Sequence, residues 1–230
     1  MGNCNCMEKP KDTPEALLFA AVNSDSPASV AYKLYEKTML PELKHIYKQF
    51  LLKRQDEITR IEISDKPLGV GGAEVISKIL PELTELRELV LVNNQMSITE
   101  ASKLADNTSM LSKLERLIIS NNCIKDEGFE FIAQTMLYMK NLKEINISYN
   151  SLTSIGAEHL IEPLEHLEKI EMVNISGNEI NKKCLKKIAL ALQNMSTIKH
   201  FKFDETDLKP SDVAEIKNML PKVFNKGTNN

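Results

Sequence analysis

The chain repeats itself every 28 residues. "LRELVLVNNQM" from Leu86, "LERLIISNNCI" from Leu114 and "LKEINISYNSL" from Leu142 share one pattern, L-x-x-L-x-L-x-x-N-x-L with conservative exchanges. The same step forward reaches "IEMVNISGNEI" from Ile170 and "IKHFKFDETDL" from Ile198, and one step back reaches "ITRIEISDKPL" from Ile58. Six copies thus fill residues 58 to 225 without an insertion. A period of this length means that one supersecondary unit is stacked repeatedly on itself.

The columns give the geometry of that unit. Position 4 holds Ile61, Leu89, Leu117, Ile145, Val173 and Phe201, and position 6 holds Ile63, Leu91, Ile119, Ile147, Ile175 and Phe203. Apolar residues two apart are the buried face of a strand. Positions 16, 19, 23 and 26 are also apolar, and their separations of 3, 4 and 3 are the inner stripe of a helix. With positions 1 and 11 the apolar columns number eight, and in six copies only Thr108 breaks them. Each unit is therefore a short strand, a turn and a helix. A single copy buries too little to offset its own ordering, so copies must share their apolar faces in one continuous core. Parallel strands then line one side and helices the other. Helices are wider than the strand spacing, so the stack curves with its strands inside. Position 9 carries Asn94, Asn122, Asn150 and Asn178, amides suited to bonding the backbone groups that a strand leaves unpaired as it turns out of the sheet. The end copies have Lys66 and Thr206 there, as expected of units that lack one neighbour.

Motif, period and strand-plus-helix unit together resemble the leucine-rich-repeat family, and the 28-residue length resembles its ribonuclease-inhibitor type, also found in tropomodulin and in Ran GTPase-activating proteins. The resemblance implies an α/β fold, a curved solenoid with parallel strands on the concave face and helices on the convex face. It implies a surface for a protein partner, without specifying which.

Residues 13 to 57 do not follow the repeat. Ser26 and Pro27 read as a helix start, and Leu43, Ile46, Tyr47, Phe50 and Leu51 form an apolar stripe of helical spacing between about Pro41 and Arg54. The expectation is a helical N-terminal cap over the core beside Ile58. A helix from about Ser211 to Val223 closes the other end, residues 226–230 read as a disordered tail, and residues 1–12 as a flexible one.

Composition excludes several classes. A net charge of −3 supplies no basic field for nucleic acid. No run of about 18 apolar residues is present, and the start has no apolar stretch of a signal peptide. Four scattered cysteines form no disulfide framework, so reducing cytosol is the expected compartment and the N-x-S/T triplets at Asn107, Asn146, Asn174 and Asn194 read as accidental. Gly69, Gly71 and Gly72 lack the Lys-Ser/Thr of a phosphate loop and are expected in the strand-to-helix turn. His159, Glu162 and His166 have ligand chemistry, but Pro163 interrupts their helix. Cys123 and Cys184 are expected at turn positions with no base beside them. The repeats carry no catalytic signature, and neither cofactor, metal nor small-molecule substrate is expected.

Positions 3, 5 and 7 face the hollow. Position 3 runs Arg60, Glu88, Arg116, Glu144, Met172, His200, with alternating signs suited to pairing along the sheet. Position 5 runs Glu62, Val90, Ile118, Asn146, Asn174, Lys202, and position 7 adds Val92. Val90, Val92 and Ile118 read as an exposed apolar patch beside an amide shelf, with Arg116 and Tyr149 at its border. These seven residues, Asn146 and Asn174 included, are the expected partner contact.

The opening "MGNCNC" resembles the dually acylated N-termini of peripheral membrane proteins. Gly2 stands where the pattern M-G-x-x-x-[ST] places its myristoyl acceptor, although Cys6 replaces the Ser or Thr. One myristoyl chain holds only weakly. Lys9 and Lys11, opposed by Glu8 and Asp12, make no basic patch, and Cys4 and Cys6 supply the second signal as S-palmitoylation sites. The sequence thus points to a non-enzymatic adaptor on the cytoplasmic face of a membrane, with a cytoskeletal or ciliary component as candidate partner. Regulation of a small GTPase and an unmodified structural subunit of a large cytoskeletal assembly are the alternatives.

Overall fold

The computed structural model describes residues 26–52, 55–108, 110–206 and 208–224. Strands β1 (Arg60–Ser64), β2 (Glu88–Val92), β3 (Arg116–Ile118), β4 (Glu144–Asn146), β5 (Met172–Asn174) and β6 (His200–Lys202) form one sheet in chain order. Every neighbouring pair is parallel, and the register advances by 28 at each rung, Arg60 beside Glu88, Arg116, Glu144, Met172 and His200. The strand-bearing segments are therefore consecutive rungs, as the columns require.

Two helices precede the sheet, α1 (Pro27–Tyr35) and α2 (Pro41–Leu51). The Ser26 side chain accepts from the Ser29 N–H at 3.1 Å and starts α1. Tyr32 stacks on Tyr47 with centroids 4.3 Å apart, and Leu43, Ile46, Tyr47 and Phe50 are buried. Both helices pack on the first repeat helix, α3 (Gly69–Ile79). The expected cap is present from residue 26, while residues 13–25 lie outside the described residues. Gly71 and Gly72, expected in the turn, instead belong to the first turn of α3.

The convex layer continues with α4 (Ile98–Thr108), α5 (Lys125–Met136), α6 (Ser154–Glu158), α7 (Ile161–His166), α8 (Lys182–Gln193), α9 (Pro210–Met219) and the short α10 (Pro221–Phe224). Positions 4 and 6 of the strands and the inner stripes of the helices fall in one hydrophobic cluster. Of the apolar columns, only Met195, Leu208, Val213 and Val223 are merely half-buried, and all four lie towards the C-terminal end, where the stack runs out of neighbours. Thr108 is buried too. Its hydroxyl lies 2.9 Å from the Thr135 hydroxyl and 3.3 Å from the Ala105 carbonyl, so the one polar member of the columns is satisfied.

The position-9 asparagines do what the turn demands. The Asn122 amide nitrogen donates to the carbonyls of Leu91, Ile119 and Ser120, and its Oδ1 accepts from the N–H groups of Asn94 and Met96 at 2.9 and 3.1 Å. Asn178 does the same with the Asn150 and Leu152 N–H groups. Asn94 and Asn150 also donate, but their Oδ1 atoms are buried without a partner. The turn conformation explains the difference. Gln95 and Ser151 are left-handed (φ 56° each), which turns the following N–H toward the next repeat's asparagine. This left-handed corner occurs in the second and fourth repeats, 56 residues apart, although the residue types repeat every 28.

Ion pairs also run repeat to repeat. Arg87 and Lys143 both pair with Glu115, at 2.5 and 2.6 Å, and Lys199 pairs with Glu171 at 2.6 Å. On the convex side Lys182 contacts Asp212 (2.6 Å) and Glu215 (2.7 Å), and Lys186 joins Glu215. The hydrogen bonds from those two lysines hold the Glu215 carboxyl down at about 2.

Replacing Asn122 by Ala strips partners from buried groups on both sides of the turn, each costing about 1–3 kcal/mol. N122A should therefore lower the urea-unfolding free energy by about 3 kcal/mol and N94A by about 1, because only the first leaves buried N–H groups unmatched. Equal losses would contradict the assignment. For Glu215 the folded value lies below the unfolded one. Its stabilisation is complete above pH ~4.5 and fades as the pH falls from there toward 2. Carbon-13 NMR should show Glu215 titrating near the low end of that window, and the K182M/K186M variant should return it to the ordinary carboxylate range. An ordinary midpoint in the unaltered protein would refute the pairing.

Candidate functional site

The strand face opposite the core is built from positions 3, 5 and 7. Its charged row is ordered as the alternating signs predict. The Arg116 guanidinium reaches Glu144 at 2.8 Å and Glu88 at 3.0 Å, and Arg60 reaches Glu88 at 3.4 Å and Glu62 at 2.6 Å. The bond to Glu144 and the charges of both glutamates hold Arg116 more firmly protonated than a free guanidinium. Arg116 is thus committed to a structural ladder.

Val90 and Ile118 differ from expectation. They are not exposed: only 5% and 8% of their surfaces reach solvent. Neither belongs to the core cluster, so they are buried on the other side of the sheet. The register explains it. Val90 stands between Glu62 and Ile118 across the ladder and between Glu88 and Val92 along its strand, and rungs about 4.8 Å apart let long neighbours shade a β-branched side chain. Val92 is half-buried.

Beside this strip lie the amides. Asn146 and Asn174 are direct partners in the ladder and half-exposed. Asn146 Oδ1 accepts from the Ser148 N–H (3.1 Å) and hydroxyl (2.7 Å), and Asn174 Oδ1 accepts from the Ser176 N–H (3.1 Å). A backbone N–H can only donate, so it fixes each amide and leaves the Nδ2 donors for the hollow.

Tyr149 sits on the rim. Position 8 is left-handed in every repeat, at Asp65, Asn93, Asn121, Tyr149, Gly177 and Glu205. Aspartate and asparagine tolerate this conformation, whereas tyrosine there is unusual. Gly177 makes room for it, since a Cβ on Gly177 would lie 2.2 Å from the Tyr149 ring. The ring thereby reaches the next repeat but one. Its hydrogen bond to the Glu205 carboxylate, with burial and the charges of Glu205 and Asp204, pushes the phenol upward. Tyr149 is 40% exposed; of the seven expected residues Val90 and Ile118 are buried, and the other five keep part of their surface open.

Other sequence candidates separate. Gly2, Cys4 and Cys6 lie outside the described residues. His166 Nδ1 donates to the Glu162 carbonyl at 2.8 Å, and among the described residues no group of three or more His, Cys, Asp or Glu is placed to hold a metal ion. No helix among them is long and apolar enough to cross a membrane. Cys123 is exposed. Cys184 is not at a turn, as expected, but in the first turn of α8, where burial pushes its thiol up to about 11. The sequence reading missed two grooves. Pro163 splits the fourth repeat's helix into α6 and α7, and a groove of about 870 Å³ lies between α7 and α8 over Ile161, Leu164, Leu190 and Met195. A second groove lies between α2 and β1. Pro163 was a legible signal for the first, and nothing in the repeat columns marks the second.

The family model described as "Leucine Rich repeat" matches residues 111–133 and 138–160. The fold is a leucine-rich-repeat solenoid. Solved structures similar to it include leiomodin-1 actin-binding site 2 (TM-score 0.52, 16% identity, 67% of this chain and 88% of that one). The tropomodulin C-terminal domain of Caenorhabditis elegans is also similar (TM-score 0.57, 14% identity, 67% and 94%). At these identities the likeness is one of fold. No curated protein matches the sequence.

The ladder can be tested by reversing its centre. R116E sets three carboxylates side by side on adjacent rungs and should lower the Tm by about 3–6 °C in low salt. About half of that loss should return in 1 M NaCl as the repulsion is screened. An unchanged Tm, or a loss indifferent to salt, would show that the row carries no register information.

Proposed function

We propose that this chain is a non-catalytic scaffold that takes a protein partner on its strand-lined face and is held at the cytoplasmic side of a membrane by acyl groups. The observation that carries the reading is the division of labour between the two faces of the sheet. One face is consumed by the core. The other carries a satisfied charge ladder, a shaded apolar strip and two oriented amides, each Oδ1 tied to backbone. Groups held in fixed positions lose little entropy when a partner arrives, which suits them to recognition.

The candidate partner is cytoskeletal. The solved leiomodin-1 domain of similar fold bears the description of an actin-binding site, and filamentous actin is accordingly the first partner to test. Gly2 would carry myristate and Cys4 and Cys6 palmitate, two signals together giving the durable attachment that one cannot.

The contact is tested by co-sedimentation with actin filaments and by capture from a native extract. V92E and N174E on the strand face should each reduce recovery at least about ten-fold, with Q134E on the convex face as control. Equal recovery by all three would move the interface elsewhere. Intact mass of protein from its native source tests the anchor separately. Mass gains of one myristoyl group and of hydroxylamine-labile palmitate are expected, and a bare or acetylated terminus would remove the anchor from the account.

A further inference from the structure

One helix of the convex layer is unlike its neighbours. Pro163 has no N–H to donate, and its ring blocks the carbonyl four residues earlier. The fourth repeat therefore carries α6 and α7, five and six residues long, where the neighbouring α5 and α8 have twelve each. The groove of about 870 Å³ opens beside this break, between α7 and α8.

The columns depart from their pattern at the same place. Repeat position 21 holds Lys78, Asp106, Gln134, Glu162, Leu190 and Asn218, and is polar in every copy but one. The exception, Leu190, lines the groove and is 53% exposed. Ile161, Ala191 and Met195 extend the same floor, each only partly covered by the core. The fold does not need an apolar residue at position 21, since five copies do without one. An outward leucine over a partly apolar groove is instead the mark of a contact.

The electrostatics around this floor select the occupant. Glu165 and Glu168 line the groove and are exposed, and among the described residues neither carboxylate makes an ion pair or a hydrogen bond. Lys187, the one cation in the lining, is already paired with Glu158 at 2.8 Å. The groove also meets the C-terminal end of α8 at Gln193 and Asn194, where the helix dipole is negative. An apolar floor is thus rimmed by one sign of potential. A second copy fits this poorly, because a two-fold contact would set each acidic rim against itself. The segment from Asn225 to Asn230 contains no apolar side chain to fill the floor. Both walls are helices whose backbone groups bond internally, so an extended strand would find no ladder to join. A helical segment arrives with its own backbone satisfied.

We propose that the groove between α7 and α8 receives an amphipathic helix of a partner protein, with its apolar stripe on Leu190, Ile161 and Met195 and a lysine or arginine set against Glu165 and Glu168. The site is on the convex side and stands whether or not the strand-lined face binds anything.

A phage-displayed library of random peptides of about 16 residues, long enough to hold a helix, is selected on the full chain and supplies the probe. Retained sequences should carry apolar residues at three- and four-residue spacing, flanked by lysine or arginine. A synthetic copy should gain helical circular dichroism on binding and shift the NMR signals of Leu190, Ala191 and Met195. L190K installs the residue that Lys78 already provides at this position of the first repeat, so the fold is kept, and it should weaken the copy at least about ten-fold. E165Q/E168Q should weaken it about ten-fold in low salt and by less in 1 M NaCl. Failure to recover binders, selection of acidic or uncharged sequences, a bound peptide that stays extended, or full affinity in either variant would each overturn the proposal. Sedimentation showing dimers that L190K dissociates would assign the groove to a second copy and overturn it equally.

Discussion

The rest of the structure depends on a buried amide at the corner where each strand leaves the sheet. Parallel strands satisfy one another along their length, but at the turn the backbone must change direction inside an apolar core, where an unmatched N–H or C=O is expensive. Asn122 and Asn178 resolve this by bonding carbonyls of their own turn and of the preceding repeat while accepting from N–H groups of that preceding repeat. Each amide thus joins two units, and a shift by one residue would withdraw it from both. The core columns make stacking favourable, and the asparagines make a single register possible.

Register in turn creates the outer face. Because the strands advance by 28, like positions become neighbours on adjacent rungs, and a sequence written in columns becomes a surface written in rows. Exposed ion pairs contribute little each to stability. Their alternation along Arg60, Glu88, Arg116 and Glu144 instead penalises arrangements that bring like charges together, a role in specificity. The same rows set Asn146 beside Asn174 and Tyr149 above Gly177, which no local stretch of sequence specifies by itself.

Most of the fold was legible because apolar columns repeat residue type, and type is what a sequence displays. The strand and helix of each unit and the parallel order follow from it, while the cap was legible from its own helical stripe at Leu43, Ile46, Tyr47 and Phe50 and the helix break from Pro163. What escaped depends on conformation or on neighbours. The left-handed corners at Gln95 and Ser151 lie in φ, which residue type at that position does not announce. Val90 and Ile118 were expected to be exposed because they face away from the core, yet strands so closely spaced shade β-branched side chains. Cys184 was assigned to a turn because the fifth helix begins earlier than its inner stripe suggests. The groove beside β1 was hidden because the cap has no repeat to compare it with.

The central claim is that one residue type serves two opposite purposes by column. Asparagine at position 9 is locked into the frame, and asparagine at position 5 turns its Nδ2 donors to the hollow. Hydrogen exchange of the side-chain amides, followed residue by residue in the native protein by NMR, measures this directly. The account predicts that the Nδ2 protons of Asn122 and Asn178 exchange only through large-scale opening, while those of Asn146 and Asn174 exchange at nearly the rate of a solvated amide. Similar rates in the two columns, or slower exchange at Asn146 and Asn174, would contradict it.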